Sequence, residues 1–266
     1  MVHERLEHAF ATVPRERFSG HGPWQIVRWN RGYVETPSDD PVYLYTDDLI
    51  ALDPARDLNN GQPSLHAVLL SALDPKPGEQ VVHIGVGGGY FTALLATMVG
   101  ADGHVTAIEF DPEMARRATE NLAGFENVTV RNDDGTKADF APADGIYVNA
   151  GATRPPNIWI DRLKDGGRLV LPITTDEGFG RIDSEHMARR GAVFLIGRNG
   201  ESYSARWISP VAIFPCAGGR DKASEARLAR AFEKGGWEFV KSLRRGAETT
   251  PDRCWLWTDD WCLAYD

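Results

Sequence analysis

The chain is poor in the residues that mark a metal centre or an oxidised scaffold. It has three cysteines, Cys216, Cys254 and Cys262, with no C-x-x-C pair among them, and its seven histidines are scattered. The spacing of a zinc site is missing, so no metal is expected. Cys254 and Cys262 flank "WLWTDDW", which reads as a β-hairpin turning at Asp259-Asp260. A two-residue turn pairs Trp257 with Cys262 and sets Cys254 on the opposite face. No disulfide is expected, and the thiols suit a reducing compartment. Long apolar runs are also absent. The opening "MVHERLEHAFATVPRERF" has no uninterrupted apolar stretch, and no later run approaches membrane-spanning length. A cytoplasmic protein with no membrane partner is expected. Positive charge is in deficit too, with 29 Lys and Arg against 38 Asp and Glu for a net −9. Such a surface disfavours nucleic acid, and none is expected as a partner.

What is present is a soluble globular composition, 42% hydrophobic and 25% charged over 266 residues, enough for one large domain with an appendage. Arg5 to Val13 has helical spacing, and "PVYLY" is a short aromatic strand candidate. From Ser64 the pattern becomes regular. "SLHAVLLSAL" reads as a helix and "QVVHIG" as a buried strand. Phe91, Leu94, Leu95, Met98 and Val99 share one face of the next helix. "HVTAIEF" is a second strand. In "DPEMARRATENLAG", Asp111 is placed to cap a helix, with Pro112 first inside it and Gly124 at its far end. "VTVRN", "GIYVN" and "GRLVLP" continue the alternation, with a helix over 157–163. Strands alternating with helices predict an α/β fold, a doubly wound, mostly parallel sheet. Ligands in that class bind beyond the carboxyl ends of the strands. The tail predicts an antiparallel hairpin turning at Asn199-Gly200, a helix from about Ser224 to Lys234, a strand "WEFVKSL" and the Trp-rich hairpin. The organisation expected is an N-terminal helical and loop cap over 1–60, a cofactor domain over 61–216 and a small α+β extension over 217–266.

"HIGVGGGY" places Gly85, Gly87 and Gly89 between a strand and a helix, where glycine lets the backbone approach a ligand. A dinucleotide fingerprint would put its last glycine where Tyr90 stands. The pattern resembles class I S-adenosylmethionine-dependent methyltransferases instead. Glu109 closes the second strand, where a carboxylate can accept from both ribose hydroxyls, with Phe110 following it. Asp134-Gly135 closes the third, where methyltransferases place an acid near the adenine amine, and Asn149 closes the fourth.

Several motifs, in order, resemble the protein-L-isoaspartate O-methyltransferase family over residues 5–216. "AFATVPRERF" is similar to its AF…VPRE.F signature, "GQPSLHAVLL" to S-Q-P-x-x-x-A, and "GGGYFTALLA" to G-S-G-Y-x-T-A-x-L-A. "LKDGGRLVLP" resembles its L-x-x-G-G-x-L-V-x-P, and "IFPCAGG" stands where the family has F-V-P-L. The resemblance implies an S-adenosylmethionine cofactor and methyl transfer to a carboxylate on a protein, peptide or small molecule. A catalytically inactive interaction module is the alternative reading. The catalytic candidates are Asn60, Gly61, Gln62 and Ser64; the cofactor candidates are Gly85, Gly87, Gly89, Tyr90, Glu109, Phe110, Asp134, Gly135 and Asn149. His66, Arg154, Phe214 and Pro215 are the substrate candidates. Two departures stand out. The family serine said to hold the acceptor carboxylate falls on Gly61, with Asn60 or Ser64 as its nearest substitutes. His83 stands where methyltransferases carry an acid.

Overall fold

The structure, a computed structural model, describes residues 4–28, 31–175, 191–246, 251–258 and 260–266. The chain forms two compact units, Met1–Asp133 and Asp134–Asp266.

The first unit opens with α1 (Glu4–Thr12) and a short 3-10 turn, Arg15–Phe18. A hairpin of β1 (Gln25–Arg28) and β2 (Gly32–Glu35) follows. The aromatic segment expected as a strand is a 3-10 turn, Pro41–Leu44. Asp40 accepts from the Val42 amide at 3.0 Å with Pro41 behind it, which fixes a turn before a strand can form. A second small pair, β3 (Ala51–Asp53) and β4 (Leu58–Asn59), leads to α2 (Pro63–Leu73).

The parallel core of this unit is β5 (Gln80–Ile84), β6 (His104–Glu109) and β7 (Val128–Asn132), with Val81 opposite Val105 and Val105 opposite Val128. α3 (Tyr90–Val99) joins the first two strands and is buried all round except at Thr97. That burial is why its sequence reads as nearly continuous apolar residues. α4 (Pro112–Asn121) joins the next two, with Asp111 accepting from the Glu113 and Met114 amides at 3.0 Å. Its end differs from the expectation at Gly124. Leu122 closes the helix, and Gly124 instead leaves room for Arg17, whose Nη2 lies 3.2 Å from where a Cβ would sit.

In the second unit β8 (Ala143–Val148) and β9 (Leu163–Thr174) run parallel through α5 (Asn157–Asp161). The sheet then turns antiparallel, through β10 (Gly191–Asn199) and β11 (Ser202–Pro210). Gly200 at φ +58° makes the expected hairpin turn. α6 (Lys222–Lys234) carries the chain to β12 (Ser242–Arg245), β13 (Cys254–Trp257) and β14 (Trp261–Ala264). Their order continues β11-β12-β14-β13. The expected strand over "WEFVKSL" begins only at Ser242. Gly235 and Gly236, at φ +71° and +90°, turn the chain into a 3-10 segment, Trp237–Phe239, first.

Trp257 pairs with Cys262 as expected, but Cys254 lies opposite Ala264, on the same face as Cys262. A bulge between Cys254 and Leu256 inserts one residue and flips the face. No disulfide joins the two thiols. Asp259, half of the expected turn, lies outside the described residues. No helix among the described residues is long and apolar enough to cross a membrane, and none of their side chains cluster as a metal site.

Candidate functional site

The lip before α2 is built by long-range polar contacts. Asn59 accepts from the Gly61 amide at 3.0 Å, an Asx turn that delivers Gly61 in the left-handed region at φ +78°. Asn60 is buried, and its side-chain oxygen accepts from the Ile50 amide at 3.1 Å and from Arg15 at 3.4 Å. That oxygen therefore braces the lip. Gln62 precedes α2 without capping it. The cap comes from Asp47, whose carboxylate accepts from the Ser64 amide and hydroxyl, both at 2.7 Å, and from the Gln62 amide group at 2.8 Å. Burial pushes the Asp47 carboxyl up, but the Ser64 and Gln62 bonds together hold it below its ordinary value.

Arg15 ties the segment behind the lip together. Its buried guanidinium donates to the carbonyls of Leu44 at 2.5 Å, Thr46 at 2.8 Å and Asp48 at 3.0 Å. One side chain thus fixes a loop some thirty residues away in sequence.

Position 61 carries the main departure, and the structure shows what fills it. A Cβ on Gly61 would lie 2.1 Å from His66 Nε2. The His66 ring is buried and stacks on Phe91 at 3.6 Å between centroids, 15° from parallel. Burial, then the nearby His83 and Arg15, push the His66 imidazole down to about 3, so it is neutral. His83 is buried in β5 with Nδ1 2.8 Å from the Thr92 hydroxyl, and burial pushes it down to about 3 as well. A neutral histidine thus sits where an acid was expected.

The glycine loop follows β5 directly. Gly85, Gly87 and Gly89 all have positive φ, at +80°, +56° and +94°. Gly85 continues the strand ladder by donating to the Ile108 carbonyl at 3.0 Å. Gly87 donates to one Glu109 oxygen at 2.8 Å, and Asp111 donates to the other at 2.9 Å. Burial pushes the Glu109 carboxyl above its ordinary value, against the pull of the Asp111, Gly87 and Val86 amides. Three amides occupy the carboxylate, and of its roughly four lone-pair positions one is left for a further donor. Next to it Phe110 is 58% exposed, an aromatic residue available to an aromatic base. Tyr90 is buried against Phe18 and Phe91, at 5.7 and 5.2 Å between centroids, so its side chain packs the core beneath the loop. These groups fit a nucleoside: a carboxylate able to take a ribose hydroxyl, an exposed phenylalanine for a base, and a glycine-rich turn.

Residues absent from the sequence reading complete this region. Leu52 lies 3.2 Å from where a Cβ on Gly87 would be, and a Cβ on Gly88 would meet the Phe18 carbonyl at 2.8 Å. Asn121 donates to the Gly88 carbonyl at 2.8 Å, and Arg56 pairs with Asp111. The "GVGGG" run hinted at Gly88. Asp47 had a weaker signal: "GQPSLH" offers no side chain able to cap its own helix.

In the second unit, Asp134 accepts from the Thr136 amide and hydroxyl at 3.0 and 2.6 Å and from Lys137 at 2.8 Å. Burial acts to raise its carboxyl, yet the Lys137 and Thr136 bonds together hold it below the ordinary value. Gly218 closes over this carboxylate, because a Cβ there would lie 2.8 Å from Oδ2. The Gly135 carbonyl accepts from the Trp159 indole at 2.7 Å. Asn149 is half-buried just past β8. Beyond it, the Gly151 amide donates to the Phe214 carbonyl at 2.7 Å, and Pro215 bridges alongside Gly151. Arg154 pairs with Asp221 at 3.1 Å. Asp221 is held at about 2 by the Ser224 amide and hydroxyl, with Arg154 adding to them. Arg154 thus already has an anionic partner.

A family model described as protein-L-isoaspartate(D-aspartate) O-methyltransferase matches residues 1–190. A protein-L-isoaspartate O-methyltransferase of Methanococcus aeolicus is 37% identical over 216 residues, 75% of this chain and 89% of that one. One from Ignicoccus hospitalis is 36% identical over 157 residues, 58% and 69% of the two chains. Among solved structures, a protein-L-isoaspartate O-methyltransferase superposes at a TM-score of 0.66 with 24% identity, covering 92% of this chain and 68% of that one. A beta-aspartate methyltransferase of Plasmodium falciparum in complex with S-adenosyl-L-homocysteine gives 0.59 with 17% identity, covering 81% and 91%. These two likenesses show the class I methyltransferase fold.

Proposed function

Since the chain belongs to the protein-L-isoaspartate(D-aspartate) O-methyltransferase family, and is thereby an S-adenosylmethionine-dependent carboxyl O-methyltransferase, we propose that its acceptor is the side-chain carboxylate of an isoaspartyl residue in a protein or peptide. What supports this acceptor is the family match over residues 1–190; the Gly87–Glu109 arrangement, a buried carboxylate fixed by the loop amide, supports the cofactor site beside it. Gly85, Gly87, Gly89, Glu109 and Phe110 would hold the cofactor in the first unit. The Tyr90 contribution is that of its backbone. In the second unit the proposed cofactor contacts are Asp134, Gly135 and Asn149, and the proposed acceptor contacts are Phe214 and Pro215.

When bound, the cofactor supplies an electrophilic methyl group on a positively charged sulfur. A carboxylate acceptor is already ionised near neutral pH, so no residue has to serve as a strong base. The task left to the chain is alignment and exclusion of water. The lip suits it: Asn59 sets the turn, Asn60 and Arg15 brace it from behind, and Asp47 fixes the start of α2 through Ser64 and Gln62. Within the lip, Gly61 has no side chain to offer the acceptor, and its amide is already bonded to Asn59.

Labelled-methyl transfer to an isoaspartyl peptide, run beside its aspartyl twin, tests the acceptor. Methylation of the isoaspartyl peptide alone is expected. Cofactor binding with neither peptide methylated would overturn the acceptor assignment and leave the enzyme class intact.

Glu109→Ala tests the cofactor contact. It removes hydrogen bonds to a charged acceptor worth about 1.5–3 kcal/mol each, so calorimetric affinity for S-adenosylhomocysteine is expected to fall at least tenfold. Unchanged affinity would remove Glu109 from the site.

A further inference from the structure

The segment proposed to meet the acceptor is tied down by a side chain that lies past the residues matched by the family model. Phe214, Pro215 and Cys216 run alongside Gly151. The Gly151 amide donates to the Phe214 carbonyl at 2.7 Å, and the Cys216 amide donates to the Gly151 carbonyl at 2.9 Å. Pro215 lies between them, paired in parallel with Gly151. With its neighbours bonded inward, the Pro215 carbonyl faces the other side. The chain then doubles back. Gly218 has φ +78°, the Gly219 amide donates to the Cys216 carbonyl at 3.2 Å, and the Thr153 amide donates to the Gly219 carbonyl at 3.1 Å. This return brings Arg220 to Gly151.

The Arg220 side chain is 14% exposed, and its guanidinium joins three elements. Nη1 donates to the Gly151 carbonyl at 2.9 Å and to the hydroxyl of Thr174, the last residue of β9, at 3.0 Å. Nη2 pairs at 2.6 Å with Glu225, in the first turn of α6. The Gly151 carbonyl therefore takes the Cys216 amide and the guanidinium together, one for each lone pair. The junction is tight. A Cβ on Gly151 would lie 2.1 Å from Thr174 Oγ1, and one on Gly219 would lie 3.2 Å from Cys216 Sγ. An ion pair with little exposure is a poor device for stability alone, since apolar groups of the same volume often do as well. Its use here is geometric, because the planar guanidinium fixes the direction of each bond it makes.

We propose that Arg220 is a positioning residue for methyl transfer, acting through Gly151 to hold the Phe214–Cys216 segment where the acceptor backbone meets it. The role rests on the acceptor contacts proposed above. A backbone contact of this kind is made in the ground state and the transition state alike, so its loss falls on KM.

The test is steady-state methyl transfer by the full chain to the isoaspartyl peptide, at saturating S-adenosylmethionine and well below each variant's unfolding temperature. Arg220→Met is expected to raise KM for the peptide at least tenfold. It should leave kcat within threefold, and calorimetric affinity for S-adenosylhomocysteine within twofold. The Gly151 and Thr174 bonds leave a single nitrogen, so a lysine ammonium can replace both. Arg220→Lys is therefore expected to return KM to within threefold of the parent. Should Arg220→Met fail to fold, Thr174→Val decides: it keeps the shape, removes one bond of the guanidinium and is expected to raise KM about threefold.

A parent-like KM in Arg220→Met, whatever its melting temperature, would overturn the inference and make the arginine a purely structural group. So would a lysine variant as impaired as the methionine one, which would place the loss in packing, or a parent-like KM in Thr174→Val where that variant decides. A rise in KM matched by an equal loss of S-adenosylhomocysteine affinity would overturn it too, since the effect would not be confined to the acceptor. A parent chain that methylates neither peptide would overturn the acceptor assignment and this inference with it. An active parent with an unmoved variant overturns this inference alone.

Discussion

Gly61→Ser is expected to destabilise the protein and slow methyl transfer, although it writes the family's serine into the lip. Two costs act together. Gly61 sits at φ +78°, and a non-glycine residue held there costs about 1–3 kcal/mol. The new Cβ would also lie 2.1 Å from His66 Nε2, far inside contact distance. His66 has little room to retreat, since its ring is buried and stacked on Phe91 at 3.6 Å. Overpacking of this kind costs roughly 1–3 kcal/mol more. A fall in melting temperature on the order of 10 °C is expected for a chain of this size.

The paired variant Gly61→Ser with His66→Val separates the two costs. Removing the ring relieves the clash and leaves the backbone strain, so about half of the lost stability should return. Coupling of this kind is what a double-mutant cycle reads. A Gly61→Ser protein as stable as the parent would show that the ring does not fill this space.

The second large effect is acid sensitivity above the range where carboxylates titrate. His66 and His83 are both pushed down to about 3 from an ordinary 6.5, chiefly by burial. Between those values the unfolded chain binds protons that the folded chain refuses. Stability is therefore flat above about pH 7.5 and falls as pH drops through 6.5 toward 3. At pH 5 each histidine costs about 2 kcal/mol, and the pair about 4 kcal/mol, relative to pH 8. Urea unfolding at pH 8, 6.5 and 5 measures this directly. Replacing His83 with Gln, which keeps a polar group facing Thr92, should roughly halve the slope between pH 6.5 and 5. Stability unchanged from pH 8 to 5 would mean that both rings take up protons in the folded chain.

What could be read from the sequence was local chemistry. Asp111-Pro112 announced the start of α4 because a cap and a fixed φ act within three residues. Asn199-Gly200 announced its hairpin because the turn needs a positive φ, and Gly200 has it. The glycine loop and Glu109 were legible as positions at strand ends, and the structure adds that the loop amide of Gly87 is bonded to that carboxylate. What could not be read was set by partners distant in sequence. The cap of α2 comes from Asp47, and the shape of the loop before the lip from Arg15. The aromatic segment at Tyr43 and Tyr45 looked like a strand because its alternation was clear, and Asp40 overrode it from outside. The face of Cys254 depended on one inserted residue, and nothing in "CWLW" signals a bulge.

The filling of position 61 by the His66 ring also constrains mutational history. A serine at 61 and this histidine conformation compete for the same volume, so they cannot be acquired in either order. On any single-step route between a serine-bearing lip and this one, glycine arrives first and histidine second, and the reverse route must lose the histidine before the serine returns. The intermediate is a glycine lip with a smaller residue at 66. The two positions form a ratchet: position 61 is locked while the ring is present, and position 66 is the one that must move first.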